Sequence, residues 1–182
     1  MFCGIGKSEI TPTTINITDY PFEPSSIFPS RNITPSEISY ICLGYLTMPT
    51  VVLNLNETTP EFIYLGSAHR DELESFAKKN KIIVKEPSEK WSLLTEPYLD
   101  RDISASEASS TLARLQLFGV SADEAEQLRA TIANAMFTYN ISSCLWDDFN
   151  LSMSDVMQAM RASLSEEEYK KFYWMAMEVE SR

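Results

Sequence analysis

His69 is the only imidazole in the chain, so a Ser-His-Asp or Cys-His device would have to be built on it. No Gly-x-Ser-x-Gly elbow and no family-type cysteine motif accompanies it. His69-Arg70-Asp71 matches the opening of a kinase catalytic loop. That loop also needs Asn five residues past the Asp and a separate Asp-Phe-Gly, whereas position 76 is Phe and no Asp-Phe-Gly occurs. The triplet reads instead as the exposed first turn of a helix, where Asp71 and Glu72 suit the positive end of the dipole. Cys3, Cys42 and Cys144 are odd in number, far apart and without a Cys-x-x-Cys pair. With one histidine they leave too few nearby ligands for zinc, and they are expected as reduced thiols, two of them in the core.

Gly4-Ile5-Gly6-Lys7-Ser8 has the residues of a phosphate loop without its frame. A strand must precede such a loop and a helix must follow it, but Met1 lies five residues before Gly6 and Pro12 follows soon after. Paired carboxylates could work without histidine. Asp147-Asp148 lies in a break between helices, flanked by Trp146 and Phe149. Burial there would raise a carboxyl pKa, and two hard oxygen ligands could hold a divalent cation for hydrolysis. The simpler arrangement has the aromatics inward and the acids in water. Glu166-Glu167-Glu168 is accounted for by a helix start. No catalytic residue, metal ligand or cofactor is therefore assigned.

The C-terminal helices carry the least ordinary composition. Met153, Met157 and Met160 recur at i, i+4, i+7, and six of the eight methionines lie between residues 136 and 177. Tyr169, Phe172, Tyr173 and Trp174 crowd the last helix, with Trp174 and Met177 on a second apolar stripe. Soft methionine with aromatics suits an adaptable protein interface, so Met157, Met160, Tyr173, Trp174 and Met177 are the interaction candidates. An ordinary packed core accounts for the same pattern.

These residues need elements to hold them, and the chain changes character near residue 100. All nine prolines lie before it, and helix formers take over after it. In residues 1–100, Thr13–Tyr20 alternates as a strand, and 21–33 reads as a Pro-rich loop. Thr34, Pro35 and Glu37 then open a helix whose stripe is Ile38, Ile41, Cys42, Tyr45 and Leu46. Thr50–Leu55 and Glu61–Leu65 form a hairpin across a 56–60 turn. Ala68–Lys79 is a second helix, with Leu73, Phe76 and Ala77 inward and Asn80 as a left-handed cap. Ile82–Lys85 is the last strand. The order β-α-β-β-α-β is that of a ferredoxin-like sandwich. Residues 101–182 read as an all-helical part of four helices, punctuated by Ser104-x-x-Glu107, Ser121-x-x-Glu124, Ser165-x-x-Glu168 and a stop at Gly119. The fold class is α+β, with the sheet part packed against the helical part as one body. The apolar connector 88–103 packs across both. A pocket at that junction would be lined by Trp91, Tyr98, Trp146 and Asp148.

The bulk numbers bound the function. The chain has 182 residues, 44% hydrophobic and 23% charged, which suits a globular protein. Its net charge is −11, spread along the chain, which disfavours nucleic acid and anionic lipid as direct ligands. No apolar run reaches the ~20 residues of a bilayer crossing, and no basic-then-apolar leader opens the chain, so a cytoplasmic location is expected. Asn-x-Ser/Thr then occurs five times as turn and cap chemistry rather than as glycan sites. The leading expectation is a non-catalytic protein–protein interaction module, of immunity or antitoxin type, that meets a basic partner or a second copy as a homodimer. The alternative is a small-ligand-binding protein or enzyme using the junction pocket.

Overall fold

A computed structural model describes residues 5–44, 48–54, 59–99, 102–143 and 151–182, with the side chains of 140–143 excepted. The fold is α+β, and the chain forms two compact units: Met1–Pro87 with Tyr173–Ser181, and Ser88–Phe172 with Arg182. No helix among the described residues is long and apolar enough to cross a membrane.

The first unit holds two sheets. Strands β1 (Lys7–Ile10), β2 (Ile15–Thr18) and β3 (Arg31–Ile33) form an antiparallel sheet in that order. The period of two sends Ile15, Ile17 and Ile33 inward, and sets Asn16 opposite Asn32 on the other face. Two of the Asn-x-Ser/Thr asparagines are thus cross-strand partners rather than turn or cap residues. Gly6-Lys7-Ser8 runs into β1, so the phosphate-loop frame is absent here. Gly6 has φ +79, and a Cβ there would lie 2.6 Å from the Thr18 carbonyl oxygen. Close passage of the two backbones fixes this glycine.

The second sheet has the order β6-β5-β4-β7, from β4 (Ile38–Cys42), β5 (Thr50–Leu53), β6 (Glu61–Tyr64) and β7 (Ile83–Lys85). The hairpin β5–β6 is antiparallel as expected, and β7 joins parallel to β4. The helix expected after Thr34 is not formed, and with it the β-α-β-β-α-β order gives way to six strands before the first helix. Its capping box does form, and supports a single 3-10 turn, Pro35–Glu37. Ile38, Ile41 and Cys42 then enter β4, buried between β5 and β7. Their i, i+3, i+4 spacing also fits a strand covered on both faces, and the β-branched Ile pair takes the pleated surface. Tyr45 and Leu46, the rest of the expected stripe, lie outside the described residues.

After a 3-10 turn, α1 (Arg70–Asn80) buries Leu73, Phe76 and Ala77. The left-handed residue that ends it is Lys81, at φ 57 and ψ 35, rather than Asn80. The Asn80 amide instead donates to the Phe76 carbonyl at 2.9 Å and to the Pro12 carbonyl at 3.2 Å. A Cβ in the left-handed region costs energy that glycine avoids, so Lys81→Gly should stabilise the first unit by about 1 kcal/mol. Slower hydrogen exchange through α1 would register the gain, and faster exchange would contradict it.

The second unit is helical: α2 (Lys90–Thr95), α3 (Ala105–Leu117), α4 (Ala122–Ser143) and α5 (Met153–Ser163). The last helix, α6 (Glu166–Ser181), contributes residues 166–172 to this unit and 173–181 to the first. The capping boxes at Ser104/Glu107 and Ser165/Glu168 close as expected. At Ser121 only half the box forms: the Glu124 N–H donates to Ser121 Oγ at 3.2 Å, while its carboxylate pairs with Arg182 at 2.7 Å. Gly119, at φ +77, ends α3 in a Schellman turn, with Val120 N–H on the Leu115 carbonyl and Gly119 N–H on the Gln116 carbonyl. The apolar connector becomes α2, and its Trp91, Leu93 and Leu94 are buried.

Candidate functional site

The two edges of the second sheet differ in kind. Antiparallel pairing with β5 leaves alternate backbone groups of β6 facing outward. The Phe62 N–H donates to Met177 Sδ at 3.3 Å, and the Tyr64 N–H donates to the Tyr20 hydroxyl at 3.3 Å. All four β6 residues are buried. Side chains therefore close this edge.

Beside it lies a buried polar cluster. Glu61, the first residue of β6, is 0% exposed. Its carboxyl group accepts from Ser26 N–H at 3.1 Å, from Ser26 Oγ at 2.5 Å and from the Tyr173 hydroxyl at 2.7 Å. Desolvation holds the Tyr173 pKa well above its usual value, reinforced by Tyr20 and Glu61, so the hydroxyl remains a donor. Arg31 reaches Ser26 Oγ at 3.4 Å and pairs with Glu37 at 2.6 Å. The Pro-rich loop is thus pinned to the sheet through Ser26. The cluster joins chain segments far apart in sequence, and Ser26 and Tyr173 hold Glu61 from within the protein itself.

At the opposite edge, β7 is exposed at all three positions. Ile83 is 62% exposed and Val84 48%, although a strand's alternation places them on opposite faces. Among the described residues of the first unit neither face of β7 is covered, and its outward backbone groups lie along an open edge. Lys85 lays its ammonium 3.9 Å from the Tyr40 ring centre.

The interaction candidates fall elsewhere. Met157 and Met160 are buried in α5, Tyr173 and Met177 are buried in α6, and Trp174 is half-buried. Tyr173 and Met177 serve the closed edge of β6. Of the pocket candidates, Trp91 is buried, and its indole N–H has no acceptor among the described residues. The Tyr98 hydroxyl donates to the Arg129 carbonyl, and the Arg129 guanidinium donates to the Leu93 and Leu94 carbonyls at 3.0 and 3.2 Å. That arrangement caps the end of α2. Trp146 and Asp148 lie outside the described residues, as do Asp147, Cys3 and Cys144.

The remaining chemistry-bearing groups are engaged. His69 Nδ1 lies 2.8 Å from Glu72 Oε2. Burial, with the Glu180 charge adding to it, pushes the Cys42 thiol up to about 11, leaving little thiolate at neutral pH. Among the described residues no three His, Cys, Asp or Glu side chains are grouped to hold a metal ion.

The sequence marks β7 as a strand but not as an exposed one. The available signal was charge: Lys78, Lys79, Lys81 and Lys85 stand in one run of an acidic chain. Glu61 gave a weaker signal, as an acid at the head of the apolar run Phe62–Leu65. No protein-family model, curated protein or solved structure matches the chain.

Proposed function

We propose that this protein is a non-catalytic interaction module that takes up an extended segment of a partner protein along β7. The observation that carries the reading is the asymmetry of the second sheet: side chains close β6, whereas β7 stands with Ile83 and Val84 in water. An added strand would gain main-chain hydrogen bonds along the edge and bury these two side chains on its two faces. The Cys42 thiol, pushed up to about 11 by burial, agrees with a binding role.

The test is a displayed library of extended peptides selected against the immobilised chain. Binders should share a period-two apolar pattern, and should be lost on the Ile83→Asp/Val84→Asp double variant. Both positions are exposed, so the variant should fold. Selected binders indifferent to the double variant would sink the proposal.

A further inference from the structure

We infer that the segment received by β7 is acidic, alternating β-branched residues with Asp or Glu. The inference rests on β7 being a docking edge. Residues 78–85 contain Lys78, Lys79, Lys81 and Lys85 and no acid, in a chain of net charge −11. All four lysines are exposed. Lys78, Lys79 and Lys81 have no ion-pair partner among the described residues. Elsewhere Lys7, Arg31, Arg114, Lys171 and Arg182 each pair with a carboxylate. Lys170 on α6 is likewise without an ion-pair partner among the described residues, but it stands alone, whereas Lys78, Lys79 and Lys81 are grouped with Lys85 beside an open apolar edge, which is complementary there to an acidic strand.

Two other accounts cover part of this. The dipole of α1 favours Lys78 and Lys79 in its last turn and Lys81 at its C-cap, but Lys85 lies beyond the helix, in β7. Lysines also guard edge strands against self-pairing. That role strengthens the choice of occupant, because a second copy would bring two such lysine runs together with only Glu86, which follows β7, as an acid beside each, and like charges across a strand pair repel. The strand has only three residues, so the affinity rests on charge as well as on the ladder.

Two fluorescein-labelled peptides test this, one alternating Val with Glu and one alternating Val with Lys. Binding is followed by anisotropy at low and high salt, with hydrogen exchange reporting on the β7 amides. The acidic peptide should bind about tenfold more tightly at low salt, lose that margin at high salt, and protect β7. In the Lys79→Glu/Lys81→Glu variant, with unfolding checked by exchange in α1, the acidic peptide should weaken by up to about fivefold per lysine removed. Equal binding of both peptides with β7 protected would overturn the acidic occupant and leave the docking edge standing. No protection of β7 by either peptide would overturn both. Protection of β7 that grows with protein concentration alone would identify a second copy as the occupant, against this inference.

Discussion

Replacing Tyr173 with Phe should destabilise the first unit by roughly 1–3 kcal/mol, although the change removes one oxygen and creates almost no cavity. Tyr173 and Glu61 are both 0% exposed, and the hydroxyl lies 2.7 Å from Glu61 Oε1. Without it, that oxygen keeps only the Ser26 N–H at 3.1 Å, and no water can reach it without opening the packing. An unmade bond to a buried acid costs far more than the net worth of an average hydrogen bond. The Glu61→Leu/Tyr173→Phe double variant should therefore lose less than the sum of the two single changes, with a coupling of about 1 kcal/mol or more. Because the chain forms two compact units, one denaturation midpoint is not a single quantity, so exchange of the β5 and β6 amides is the proper readout. A Tyr173→Phe protein with β6 exchange unchanged would mean that the contact contributes nothing.

Local grammar was legible wherever the deciding interactions are local. Ser104/Glu107 and Ser165/Glu168 need only one another, and both boxes close. The Glu168 carboxyl is held below its usual range by the Ser165 hydroxyl, then by the Ser165 backbone. Gly119 stops α3 because the left-handed turn belongs to the chain itself. The stripe Leu73, Phe76, Ala77 was readable for the same reason. Thr34 shows the limit. Its capping box is real, with the Thr34 N–H on Glu37 Oε2 at 2.8 Å, yet it decides one turn only. The conformation of Ile38–Cys42 is decided by the next strand, β5, and by β7, more than 40 residues along the chain, which take that segment as the strand between them. The candidate site was half legible. The strand over residues 83–85 and its lysines are written in the sequence, but exposure is not, because it depends on what fails to cover Ile83 and Val84. The composition of the methionine-rich helices suits an adaptable surface. Met177 is instead an internal acceptor, and no sequence pattern announces that a thioether will meet a strand N–H.

Met177→Ala should be among the most damaging single changes in the first unit, at about 3–5 kcal/mol. Met177 is 0% exposed, so truncation leaves a cavity, and it also frees the Phe62 N–H that its sulfur accepts at 3.3 Å. Met177→Leu nearly keeps the volume and removes only the acceptor, so it should cost under about 1.5 kcal/mol from packing, plus the unpaired amide. Faster exchange at Phe62 in both variants, with global loss only in the alanine, would separate these two contributions. Equal stability of the two variants would show that the cavity is not the larger part. The consequence reaches the docking edge. A sheet with one open edge can accept one added strand and then stop, whereas a sheet open at both edges can propagate from either side. If Met177 and Tyr20 confine docking to β7, the native chain should bind an extended peptide at one-to-one stoichiometry. Met177→Ala, which opens β6 as well, should then associate with itself as its concentration rises, an effect visible as growing mass by light scattering. A Met177→Ala protein that stays at constant mass while its Phe62 amide exchanges freely would show that β6 is protected by more than its side-chain cover.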